Sequence, residues 1–219
     1  MQTRGLLNEE LNKLRHELEL MTVRVLEDLG KAIIVLRSGG KELAKEVKES
    51  GKIVDALQLK IEDMALVLIA TQQPVARDLR ELIIVFKITS NLERINDHGI
   101  HLVKAALKLS DRPSLRISNR IERMAETGQE MLKAAFFAYM TQNAAAARNT
   151  AALDEKIDKE HKALTEEVLE LMKEKPKLVK MAARLLKLSG FMERLGDHIT
   201  NICEGIIYMV EGRHVNLNE

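Results

Sequence analysis

The chain of 219 residues has no Trp, one Cys, three Pro and an aromatic content of only 3%. A lone Cys203 excludes an internal disulfide and is what a reducing compartment permits. Charge of one sign is also missing: 34 Lys and Arg stand against 33 Asp and Glu. The balance holds locally, with 17 basic and 16 acidic residues in 1–110 and 17 of each in 111–219. No basic face large enough to suggest nucleic acid is left. Uncharged apolar runs are short. Met64 to Ala70 is typical, far below the roughly 20 residues a bilayer requires. The first ten residues already hold Glu9 and Glu10 and lack the apolar core of a signal peptide. The expectation is a soluble, cytoplasmic protein.

What is abundant is Leu, Ala, Met, Glu and Lys, a composition that favours helix over sheet. Apolar residues recur by threes and fours. The first stripe runs Leu7, Leu11, Leu14, Leu18, Met21, Val25, Leu29, Ala32, Leu36 and stops at Ser38-Gly39-Gly40. The second is Val47, Val54, Leu57, Ile61, Met64, Leu68. A third begins Val75, Leu79, Leu82, Phe86 and then shifts face to Ile88, Leu92, Ile95, Gly99, Leu102. Asp111-Arg112-Pro113-Ser114 breaks the chain again. Ile117 to Ala138, Leu153 to Leu171 and Leu188 to Met209 carry three further stripes. Six helices of roughly 25–35 residues are predicted from this spacing. All three prolines fall at their boundaries, where proline is tolerated. Short connections imply antiparallel neighbours. The fold class is all-α, as two tandem three-helix bundles stacked end to end: residues 1–110, residues 114–212, and a C-terminal tail 213–219.

The halves repeat. Leu92-Glu93-Arg94-Ile95-Asn96-Asp97-His98 matches Met192-Glu193-Arg194-Leu195-Gly196-Asp197-His198 at an offset of 100. Pro74 precedes Glu93 by 19 residues and Pro176 precedes Glu193 by 17. Gly39-Gly40 precedes Asp55 as Gln142-Asn143 precedes Asp158, at an offset of 103.

The repeated positions include carboxylates. Glu93 and Asp97 are four residues apart, so they share one helix face beside the apolar stripe. Glu193 and Asp197 do the same, and Asp154 with Asp158 forms a third pair. Asp55 flanks Val54, with Gly51 one turn earlier. The helix turn near Lys173 to Pro176 lies 15–18 residues past Asp158 and 17–20 before Glu193, so these acids sit level on antiparallel helices. Asp55 and Glu93 are each 19 residues from Pro74 and are level in the same way. Clustered carboxylate oxygens suit hard or borderline cations such as iron, manganese or magnesium, with zinc also admissible. An E-x-x-x-D pair alone is commonly a solvated ion-pair face, with Arg94 or Arg194 as partner. Spacing leaves both readings open. His98 and His198 turn partly away from the acids and read as surface or interface residues. His161 lies on an apolar stripe, where it reads as a core histidine with ligation left open, and Cys203 reads as core packing.

The two seven-residue motifs resemble the duplicated E-R-[IL]-G-D signature of the PhoU family of bacterial phosphate-signalling regulators. Gln73-Pro74-Val75-Ala76-Arg77-Asp78-Leu79-Arg80 is similar to the family's stretch opening the third helix. Leu153-Asp154-Glu155-Lys156-Ile157-Asp158 resembles its acid-pair motif, and Asn201-Ile202-Cys203-Glu204 is family-like. The resemblance covers about residues 6–212. It implies two three-helix bundles carrying multinuclear metal clusters, iron foremost with zinc or manganese as alternatives. Asp55, Glu93 and Asp97 would serve one cluster; Asp154, Asp158, Glu193 and Asp197 the other. It further implies a non-enzymatic homodimer that restrains phosphate uptake and the starvation response. The implied partners are the ATPase subunit of the phosphate ABC transporter and the phosphate-sensing histidine kinase, with membrane contact only through them. Two departures stand out: Gly51 replaces the first acid of helix two, and Asn96 replaces the signature glycine. The alternatives are a di-iron, ferritin-like enzyme, for which Glu211-Gly-Arg-His214 is the only Glu-x-x-His motif, and a metal-free helical scaffold.

Overall fold

The computed structural model describes residues 2–108 and 115–218. Pro113, the break at 111–114 and the expected repeat limits at 110 and 114 lie outside them. The helices are α1 (Gln2–Ser38), α2 (Lys41–Gln72), α3 (Ala76–Ala106), α4 (Leu115–Met140), α5 (Ala144–Ala151), α6 (Asp154–Glu174) and α7 (Val179–Glu211). A 3-10 turn, Pro176–Leu178, leads into α7, and no strand occurs among the described residues.

Six helices are the long ones the apolar periodicity predicts. α5 is an addition. Its Ala144 to Ala147 run favours helix strongly but offers no stripe of large apolar residues to betray it. The offset of 103 places α5 and α6 together where α2 runs unbroken in the first repeat. The interruption falls at Ala152-Leu153, directly before Asp154.

The stripes form the core. Leu11, Leu14, Leu18, Met21, Val25, Leu29 and Ala32 of α1 are buried, as are Leu188, Met192, Leu195, Ile199, Ile202, Ile206 and Met209 of α7. Val75 is an exception at 71% exposed, because it caps α3 from outside the helix. The α1–α2 turn depends on left-handed backbone at Gly39 (φ 76°), and the matching Gln142 adopts φ 50° before Asn143 caps α5. Asn143 Oδ1 accepts the Ala146 N–H at 2.9 Å.

The bundles lie side by side and not end to end. α1 runs antiparallel to α4, joined from Arg15 and Tyr139 at one end to Arg37 with Glu122 and Glu126 at the other. Midway, Gln129 Nε2 donates to the Leu26 carbonyl at 3.0 Å. α3 and α7 pack likewise: Arg80 Nε reaches the Met209 carbonyl at 3.2 Å, and Arg184 Nη1 donates to the Lys108 carbonyl far along the pair. Gly205 permits the close crossing, since a Cβ there would stand 3.1 Å from Ile84 Cγ2. α3 therefore buries two faces, one on α1 and α2 and one on α7. This explains why its stripe changes face between Phe86 and Ile88.

No described helix is long and apolar enough to cross a membrane.

Candidate functional site

In the second repeat, α6 presents Asp154 and Asp158 to Glu193 and Asp197 of α7. Asp154 is buried at the first turn of α6, where the helix dipole favours an acid. Its Oδ2 accepts from Thr200 Oγ1 at 3.1 Å, while its buried Oδ1 has no hydrogen-bond partner. Burial, then the negative charge of Asp158, pushes its pKa up to about 7; Asp197 and Glu193 add to this and Thr200 opposes it. Asp197 is half-buried, and its pKa is raised by burial, then by Glu193 and Asp158, against Arg194. Asp158 is exposed at the rim. The four acids are thus electrostatic neighbours, as their level positions on the two helices imply.

The first repeat groups Asp55, Glu93 and Asp97. Glu93 is half-buried and its pKa is raised by burial and then by Asp97, with Arg94 lowering and Asp55 raising it. Asp55 is exposed. Arg94 Nε lies 3.3 Å from Glu93 Oε2, so part of this site is the ordinary ion-pair face. Among the described residues, no three His, Cys, Asp or Glu side chains stand in an arrangement that would hold a metal ion. The acids are gathered but not converged. In chemical terms the second repeat still suits a cation: its donors are carboxylates, one buried oxygen is unpaired, and the shared repulsion calls for positive charge.

The repeats differ by an exchange across facing helices. In the second, Gly196 leaves the room that Asp154 occupies; a Cβ at 196 would collide with Asp154 Oδ1. In the first, the glycine is on the other helix. A Cβ at Gly51 would meet Ile100 Cδ1 at 2.8 Å and Asn96 Nδ2 at 3.8 Å. Asn96 is buried, and its Oδ1 has no partner. The Ile100 δ-methyl, with the neutral Asn96 amide behind it, thus takes the place in the first repeat that a carboxylate from α6 holds in the second.

The histidines divide. His98 and His198 stack at 5.4 Å where α3 crosses α7, with Phe191 5.8 Å from His98. His198 Nδ1 and Asn91 Oδ1 are 2.9 Å apart. Burial, then His198, lowers the His98 pKa to about 4, which keeps this packed ring neutral. These are interface residues, as their turn away from the acids suggests. His161 is half-buried with Nδ1 2.7 Å from Ser189 Oγ. Cys203 is buried, and burial pushes its thiol up to about 12, so it is inert packing. Glu211 is tied to Arg148 at 2.7 Å and His214 stacks on Tyr208 at 4.1 Å, so this Glu-x-x-His motif does not face a bundle core. That removes the feature on which a ferritin-like di-iron reading rests.

Two buried acids were not foreseen. Glu81 of α3 receives Arg15 Nε at 2.6 Å and Arg15 Nη2 at 2.7 Å from α1, and Tyr139 Oη donates to it at 3.2 Å from α4. Asp28 of α1 is buried with both oxygens unpartnered, and burial raises its pKa. The nearby Ser50 hydroxyl offsets this without making a bond of ordinary geometry. Glu81 follows Arg80 at the head of the apolar run Leu82 to Phe86, and Asp28 follows Glu27, so neither breaks an apolar stretch that would mark it in the sequence.

Comparison with known proteins gives a consistent picture. A family model described as the PhoU domain matches residues 9–106 and again 121–206. The phosphate-specific transport system accessory protein PhoU homolog of Borreliella burgdorferi is 36% identical over 217 residues, covering 96% of this chain and 97% of that protein. The homolog of the same name from Clostridium acetobutylicum is 31% identical over 218 residues, covering 99% of this chain and all of that one. The crystal structure of the phosphate transport system regulatory protein PhoU from Streptococcus pneumoniae superposes with a TM-score of 0.89 at 30% identity, covering 96% of this chain and 99% of that one.

Proposed function

The chain belongs to the PhoU family, and from that premise we propose that it is an accessory protein of a phosphate-specific transport system that restrains phosphate uptake and the starvation response. The observation that carries this reading is the match of the family model to both repeats, together with relatives aligned over nearly the whole chain. The protein works by contact and not by turnover. It links the ATPase subunit of the phosphate ABC transporter to the phosphate-sensing histidine kinase, in the cytoplasm and as a homodimer.

Its carboxylate clusters bind metal, iron foremost, with zinc or manganese as alternatives. Asp154, Asp158, Glu193 and Asp197 would hold the cluster of the second repeat, with Asp55, Glu93 and Asp97 holding a weaker one in the first. The rim acids Asp55 and Asp158 are exposed and free to swing inward. A bound cation would supply the counter-charge that the buried Asp154 carboxylate lacks. The raised pKa of Asp154 and its unpaired Oδ1 support this assignment.

Deleting the gene and assaying alkaline phosphatase in phosphate-rich medium tests the regulatory role. Derepressed phosphatase that the wild-type gene restores is the expected result; unchanged levels would overturn it.

A further inference from the structure

The pair α3 and α7 carries a second duplicated feature, which begins one turn beyond Asp97 and Asp197. One cavity, of about 330 Å³, is lined by His101, Lys104, Lys108, Arg184, Lys187 and Phe191. Another, of about 250 Å³, is lined by Lys87, Asn91, Asn201, Glu204, Tyr208 and the tail residue His214. The offset of 100 maps Lys87 to Lys187, Asn91 to Phe191, and Asn201, Glu204 and Tyr208 back to His101, Lys104 and Lys108. The two cavities are counterparts across the repeat.

They differ in charge and in what covers them. Glu204 accepts the backbone N–H of Leu217 at 2.7 Å, and Tyr208 stacks on His214, so the chain's own tail folds over the second cavity. In the first cavity, Lys104 replaces that acceptor and Lys108 replaces the stacking tyrosine. Arg184 adds a further cation, held at the end of α3 by the Lys108 carbonyl. No acid lines this cavity among the described residues. Lys187 sits 5.6 Å over the Phe191 ring, which His101 stacks at 5.0 Å.

We propose that the cavity between Lys104, Lys108, Arg184 and Lys187 binds a small polyanion built of linked phosphoryl groups. Four cations in a cavity with no acid in its lining, and only Asp97 acting on His101 from one turn away, favour an acceptor-rich ligand, and lysine and arginine are the residues that hold phosphoryl oxygens. A chain of linked phosphoryl groups offers separate oxyanions to the cations of α3 and α7, which a single tetrahedral oxyanion does not. A peptide segment like the one over the counterpart cavity finds no acceptor at Lys104.

The test is calorimetric titration of the full chain, stripped of metal with chelator and then dialysed, with tripolyphosphate and with ATP at low ionic strength. Both ligands bind, because both carry the triphosphate, and affinity falls as salt rises. The variant Lys104→Glu/Lys187→Glu weakens binding at least tenfold, while Lys87→Glu in the counterpart cavity changes it less than twofold. Circular dichroism confirms that each variant is folded, which is expected since these lysines are exposed. Absence of wild-type binding, binding of ATP without tripolyphosphate, or an equal loss in Lys87→Glu would each overturn the proposal. Metal-free protein is used throughout, so failure of the carboxylate clusters to bind metal leaves this result unaffected.

Discussion

The Asp154 carboxyl is held where its charge is disfavoured, and pH exposes the consequence. Its pKa of about 7 in the folded state lies above the roughly 3.9 of an unfolded chain. Between these values the folded protein binds more protons, so this group's contribution makes the metal-free protein less stable as pH rises from about 4 to about 7. The effect is on the order of a few kcal/mol at most. Thermal midpoints at pH 5 and pH 8 should show it, and Asp154→Asn should flatten the difference. A variant that tracks the wild type at both pH values would contradict this account. Glu81 is a different case, since its charge is answered by Arg15 and Tyr139. Glu81→Ala leaves Arg15 without its partner and should cost about 3 kcal/mol. Urea unfolding measures this, and a loss under about 1 kcal/mol would mean that solvent replaces the partner.

At the scale of elements, the two repeats place the glycine of this facing pair on opposite helices, Gly196 on α7 against Asp154 and Gly51 on α2 against Asn96. Gly196→Ala would push Asp154 out of its place and should cost about 1–3 kcal/mol by overpacking. Thermal melts read this directly, and no loss would show that the α6–α7 crossing is slack. Gly51→Asp alone meets Ile100, which stands where Thr200 hydrogen-bonds Asp154; joined with Asn96→Gly and Ile100→Thr it rebuilds in the first repeat the arrangement of the second. The triple variant should hold more metal per chain than the wild type by elemental analysis; an unchanged ratio would show that the exchange does not limit the first site. The apolar stripes were legible because each large residue on a helix must choose a face. The level of the acids was legible because antiparallel helices make distance from a turn measurable by counting. What escaped was α5, whose alanines mark no face, and the contact between Asp154 and Gly196, which depends on how closely two helices cross. The departures at Gly51 and Asn96 were visible as single residues; that they face each other across α2 and α3 was not.

At the scale of the molecule, side-by-side packing makes α3 and α7 the seam between repeats, with His98 against His198 at its middle. Sequence periodicity gave one hint of this in the shifted stripe of α3, since helices that serve a single bundle show one stripe. The near-zero net charge averages over clusters of acid on one pair of helix faces and a basic cavity on another. The claim that the level carboxylates are metal sites is met most directly by elemental analysis of protein purified without chelator. The wild type should carry metal in stoichiometric amount, Glu193→Ala and Asp197→Ala should lose most of it, and Glu93→Ala should lose less. Equally negligible metal in all of these proteins would contradict the account.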